Sequence, residues 1–138
     1  MAEYLKPVPT PDPDTKKFWE YAKSHELRLP RCTACSLLFY PPQGLCPRCL
    51  SDALEWVKMR GTGVVYSMSV VYANRSKGFK DEVPYIFGYV TLDEDVQMLT
   101  NILFKGDPFQ VKIGAAVEVV FDDATPQVTL PKFRLRAG

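Results

Sequence analysis

A mainly β protein is expected from three features of this 138-residue chain. Its only four cysteines, Cys32, Cys35, Cys46 and Cys49, fall as two C-x2-C pairs with ten residues between them. Period-two alternation of apolar and aromatic residues recurs from residue 64 to the end. Prolines at positions 7, 9, 11, 13, 30, 41, 42 and 47 make the first third turn-rich and restrict helix there. The length suits one ordinary domain, or a small domain with an appended module. No apolar run approaches the roughly 20 residues that span a bilayer. A net charge of +1 supplies no global field toward nucleic acid or anionic lipid.

The elements follow in order. Pro7, Pro9 and Pro11 give an extended arm suited to wrapping on another surface. Asp12 reads as an N-cap, with Pro13 at the first helical position and Asp14 facing the dipole. Phe18, Tyr21, Ala22 and His25 then recur at helical spacing, so a helix should run to about Ser24. Leu27 and Leu29 alternate around Arg28 as a short strand into Cys32. Leu37 to Pro42 should cover the cysteine cluster, and Leu54 to Val57 should close the ribbon, with Trp56 packed over it. Gly61 and Gly63 open a long strand on which Val64, Tyr66, Met68, Val70 and Tyr72 share one face. Residues 74–82 read as a polar, mobile loop. Residues 85–104 read as a hairpin turning at Asp93-Glu94-Asp95. Val117, Val119 and Phe121 mark a fourth strand. A last strand over 127–135 carries Val128, Leu130, Lys132 and Arg134 on one face and Phe133 and Leu135 on the other. Pro131 puts that strand at an edge or a bulge. Five such strands, the first long enough to bend at a corner, predict a five-stranded OB-fold barrel. The organisation is an N-terminal extended and helical arm over 1–26, a rubredoxin-like zinc ribbon over 27–59 and the barrel over 60–138.

The cysteine spacing suits four thiolates around one structural zinc ion, and such a closed set leaves no position for water or substrate. Two disulfides would use the same residues, but the N-terminus shows no apolar signal segment, so a reducing cytoplasmic setting is expected. A redox C-x2-C belongs at a helix start, whereas both pairs here lie in turn-rich sequence. Iron fits the same cage; zinc is favoured because nothing else points to electron transfer.

Phe18-Trp19-Glu20, Arg31-Cys32-Thr33-Ala34-Cys35, Tyr40-Pro41-Pro42 and Cys46-Pro47-Arg48-Cys49 form an ordered set. Gly61-Thr62-Gly63-Val64-Val65-Tyr66-Ser67, Pro84-Tyr85, Thr91-Leu92-Asp93-Glu94, Thr100-Asn101 and Ile113-Gly114 extend it. The succession resembles the zinc-ribbon and OB-fold acyl-CoA-associated family long known as domain of unknown function thirty-five, over nearly the whole chain. The family pattern often has glycine after each knuckle and in the hairpin turn, where Ser36, Leu50 and Asp95 stand here. The resemblance implies an auxiliary subunit of a thiolase-superfamily enzyme (a thiolase, synthase, acyltransferase or aldolase), in some relatives paired with a hydratase. Such a subunit helps to bind the acyl-CoA ester and forms a hetero-oligomer such as a heterotetramer.

The residue inventory agrees with a non-catalytic role. All four thiols are committed to metal, the single His25 reads as a helix-end histidine, and no nucleophile elbow, metalloprotease motif or phosphate loop is present. Asp93, Glu94 and Asp95 read as a solvated turn. For the CoA end of a ligand, the candidate cations are Arg28, Arg31, Arg48, Lys132 and Arg134, with Phe133 as platform. Phe79, Pro84 and Tyr85 are candidates for the pantetheine wall. Phe18, Trp19 and Tyr21 are candidate partner anchors. Two alternatives stand beside this reading: a single-stranded nucleic-acid binder using Tyr66 and Tyr72 as stacking platforms, and a scaffold without ligand contact. The charge balance disfavours the first, and neither nucleic acid nor membrane is expected as a partner.

Overall fold

The computed structural model describes residues 4–136. One helix, α1 (Lys16–Lys23), precedes seven strands: β1 (Arg28–Cys32), β2 (Leu54–Lys58), β3 (Thr62–Val71), β4 (Tyr85–Leu92), β5 (Gln97–Leu103), β6 (Ala116–Asp122) and β7 (Leu130–Leu135). β1 and β2 pair antiparallel as a ribbon, with Cys32 opposite Leu54. The other five close a barrel in the order β3-β4-β5-β7-β6, the mainly β architecture expected from the sequence.

Helix α1 starts one turn later than its sequence suggests. Asp12 Oδ1 accepts from the Thr15 amide at 2.8 Å, and the Asp12 carbonyl accepts from Lys16 at 2.8 Å. Those bonds close a turn through Pro13, so Thr15 rather than Asp12 is the N-cap. At the other end His25 adopts φ 60, its amide donates to Ala22 and that of Glu26 to Tyr21, the left-handed cap that ends many helices. Phe18 is buried, edge-on to Trp19 at 5.0 Å and near Tyr40. It packs the core. Tyr21 is half-buried between Trp56 and the Arg28 guanidinium.

The phase of β3 departs from simple alternation. A bulge between Val65 and Ser67 inserts Tyr66, so Val64 and Tyr66 face out whereas Met68 and Val70 pack on the core. Opposite the bulge stands Gly88. A methyl group there would collide with Ser67 O and lie 2.7 Å from Met68 Cα. Only glycine lets β4 approach β3 this closely.

Closure is achieved at a short seam. β5 and β7 run parallel and pair only at Ile102–Phe133 and Leu103–Arg134. Pro131 pairs with Phe121 on β6 but has no ladder neighbour on the β5 side, so its missing N–H costs nothing there. Leu27, Leu29 and Met59 from the ribbon, Phe18 from α1 and Val65, Ile86, Val90 and Phe133 from the barrel form one continuous core. The Met59 amide donates to Leu27 O at 2.7 Å, extending the β1–β2 pairing by one residue beyond Arg28 and Lys58.

Candidate metal centre and ligand cavity

Each cysteine pair sits on the same local device. The Cys32 amide donates to Leu37 O and its carbonyl accepts from Ser36; the Cys46 amide donates to Ser51 O and its carbonyl accepts from Leu50. Both turns need a left-handed residue, and Ser36 (φ 68) and Leu50 (φ 65) supply it. Asp95, φ 63, does the same in the β4–β5 turn. The three positions where the family pattern favours glycine are thus three left-handed positions.

The four sulfurs lie within 4.8 Å of one another, with Cys32–Cys49 and Cys35–Cys46 each at 3.5 Å. A tetrahedron of sulfurs at about 2.3 Å from zinc has edges of about 3.8 Å, so the set closes on the ion with shifts of no more than about 1 Å. Amides of Cys35 and Cys49 point at the Cys32 and Cys46 sulfurs at 3.4 and 3.5 Å, stabilising thiolates. Arg48 donates to Cys35 O at 2.6 Å and ties the second knuckle to the first. The Leu37 amide, with help from Arg48, pulls Cys35 down to about 6. The Ser51 amide also lowers Cys49, but the bond to Cys32, burial and the neighbouring sulfurs outweigh it and push Cys49 up to about 12. Crowded thiols therefore resist joint ionisation, and a dication at the centre removes that conflict. This is a structural zinc site with all its positions taken by the chain.

A cavity of about 380 Å³ opens on the β5–β7 seam, far from the cysteines in chemistry. Its walls include Phe79, Pro84 and Tyr85, with Asn101 and Ile102 from β5 and Lys132 from β7. Phe79 and Tyr85 stand 5.7 Å apart, and Tyr85 Oη accepts from Asn74 Nδ2 at 2.9 Å. The N-terminal arm forms one rim: Lys6 Nζ lies 5.5 Å from the Phe79 ring and 2.8 Å from Glu82. Burial is the main cause that raises the Tyr4 phenol above its ordinary value. Loop 74–82 is not a free loop, because Gly78 packs against the Leu5–Lys6 backbone so closely that a Cβ would stand 2.8 Å from Lys6 N. A charged annex of about 350 Å³ continues from the cavity between Lys6, Glu82, Asp122 and Lys132. Lys132 is nearly buried and bonds Asp122 at 2.8 Å.

Of the residues singled out for a ligand, Phe79, Pro84, Tyr85 and Lys132 converge here. Phe133 does not: it is fully buried and fills the barrel. Arg31 bonds Glu55 on the ribbon, Arg28 bonds Glu26, and Arg134 faces Glu118 at 3.7 Å. Tyr4, Lys6 and Asn101 were not foreseen. Asn101 was visible only as part of the Thr100-Asn101 pair, and the arm's approach is set by contacts some 70 residues away in sequence.

Residues 19–55 match the rubredoxin-like zinc ribbon domain of ChsH2, and residues 56–122 match its C-terminal OB-fold domain. The chain belongs to the ChsH2 family. It is 32% identical over 110 residues to a DUF35 domain-containing scaffold protein of Methanothermobacter thermautotrophicus, covering 78% of this chain and 81% of that one. It is 36% identical over 130 residues to a probable enoyl-CoA hydratase alpha subunit of Thermomonospora curvata, covering 94% of this chain but only 40% of that protein. Identity to the benzoylsuccinyl-CoA thiolase subunit BbsA of Thauera aromatica is 30% over 89 residues, 64% of this chain and 58% of that subunit. Among solved structures, a chain of the Ltp2-ChsH2(DUF35) aldolase superposes with a TM-score of 0.83 at 35% identity, over 93% of this chain and 98% of that one. A DUF35 protein of Sulfolobus solfataricus shares the fold at 17% identity and a TM-score of 0.62.

Proposed function

We propose that this chain is a non-catalytic, zinc-stabilised subunit that assembles with a thiolase-superfamily enzyme in the cytoplasm and helps to hold its acyl-CoA substrate. The arm (1–26), ribbon (27–59) and barrel (60–138) act as its three parts, and a heterotetramer is the expected assembly. The observation that carries the reading is the convergence of Phe79, Pro84, Tyr85 and Lys132 on one cavity. Aromatic and apolar walls suit a pantetheine arm, Asn101 offers an amide partner, and Lys6 and Lys132 stand where an anionic group would compete with Glu82 and Asp122. Relatives named as subunits of a thiolase and a hydratase, and likeness to an aldolase chain, support the partner class. Chemistry at the thioester falls to the partner, because the only thiols here are zinc ligands and His25 is spent on Asp123 at 3.0 Å and on stacking with Phe121.

The test is calorimetric titration of the assembled complex with acetyl-CoA and with CoA alone. Lys132→Met and Phe79→Ala should each weaken binding by about tenfold while leaving assembly intact. Unchanged affinity in both variants removes the cavity from the reading.

A further inference from the structure

The barrel surface is sharply polarised. β3, β4 and β5 contain no Asp, Glu, Lys or Arg, whereas β6 and β7 carry Glu118, Asp122, Lys132 and Arg134. On the uncharged side Tyr66, Phe87, Tyr89 and Leu99 are 57%, 42%, 43% and 46% exposed. They form one patch: Tyr89 lies directly opposite Leu99 on β5, and the bulge sets Tyr66 beside Ser67, the β3 partner of Tyr89. Tyr66 faces outward with Val64, and the bulge that follows, which the bare Gly88 accommodates, turns Met68 and Val70 inward beneath the patch.

We propose that this β3–β5 face docks the catalytic subunit, an inference that rests on the function proposed above. Aromatic, charge-poor surface of this kind is the composition of protein–protein interface cores. It is wrong for nucleic acid, whose phosphates need cations beside any stacking ring. Position selects the catalytic subunit over a second copy of this chain. Phe87 and Leu99 line a groove of about 300 Å³ whose opposite wall is Trp19 and Tyr40, and which shares Asn101 and Lys132 with the ligand cavity. Whatever covers the face therefore meets the ligand at the cavity mouth. A chain without a nucleophile needs the reacting groups to arrive from outside, at that place. A second copy would bring no nucleophile.

The experiment expresses the tagged chain in its native host and quantifies co-purifying thiolase-superfamily subunits by mass spectrometry. Tyr89→Lys and Leu99→Glu place charge at outward positions; Lys105→Glu, across the barrel, is the control. Zinc content and melting temperature verify that all variants fold. Wild type and Lys105→Glu should retain the partner equally, and the two face variants should lose it by about tenfold or more. Folded face variants that keep the partner undiminished overturn the docking face and leave the subunit reading standing. A wild-type homodimer that the same variants split assigns the face to a second copy and overturns the proposal. Wild type that retains no such subunit overturns the function reading, and the docking face with it.

Discussion

Leu50 ends the second zinc knuckle at φ 65 with its side chain 69% exposed. Its amide must donate to Cys46 O for the knuckle to close, so it cannot relax to an ordinary conformation. The left-handed region costs an L-residue about 1–2 kcal/mol. Glycine avoids that strain but loses more chain freedom on folding, which takes back about 0.5–1 kcal/mol. So exposed a side chain has little burial to lose. Leu50→Gly should therefore stabilise the zinc-loaded protein by about 0.5–1 kcal/mol, and Ser36→Gly, at φ 68 in the first knuckle, by a similar amount. Neither Ser36 nor Leu50 is itself a zinc ligand, so the double variant should gain about 1–2 kcal/mol, or roughly 3–8 °C in melting midpoint. Leu50→Val sets the opposite sign, since a β-branched side chain tolerates this region worse. Urea unfolding at saturating zinc measures the four variants against wild type. A double variant less stable than wild type, with zinc content unchanged, would refute the assignment of strain.

Two further predictions concern metal and protons. Cys46→Ala removes a buried ligand from a cage whose ribbon shares its core with the barrel, so both should loosen together. The expected result is loss of zinc in a chromogenic chelator assay and loss of near-ultraviolet dichroism from barrel aromatics; a soluble, fully assembled but inactive Cys46→Ala complex would contradict it. Asp123 accepts from the buried Thr129 hydroxyl at 2.6 Å and faces His25, and these bonds hold its carboxyl below the ordinary 3.8. A depressed carboxyl adds stability that is full above the unfolded value and is lost as pH falls through the folded one. Thr129→Val should then flatten the fall of melting temperature below about pH 4, and an unchanged acid slope would count against the pairing.

What could be read from the chain was what is local. The metal site is two identical four-residue devices, and spacing alone displays it. Strands show through alternation, and the helix through its 3.6-residue period. The phase slip at Tyr66 was not legible, because the bulge depends on Gly88 of another strand approaching at that point. Phe133 illustrates a different error: the alternation that puts Lys132 and Arg134 on one face of β7 already puts Phe133 on the other, inside the barrel, and that geometry outranks its attraction as a stacking platform. The helix start was misplaced because Asp12 can cap a turn as well as a helix. The cavity was half visible. Phe79, Pro84 and Tyr85 are neighbours in sequence, whereas Lys6 and Lys132 reach them only through the fold.

The short β5–β7 seam has a consequence for how a guest would be recognised. Before Ile102 and Phe133 respectively, β5 and β7 have ladder neighbours on one side only; the groove beside Phe87 and Leu99 runs along this stretch and meets the cavity at Asn101 and Lys132. A guest lying there meets main-chain amides and carbonyls as well as side chains. Those groups survive every substitution except proline. Recognition built on them is inherited with the backbone, so relatives that differ at positions 79 or 132 could keep one type of guest while drifting freely in the residues that first draw the eye.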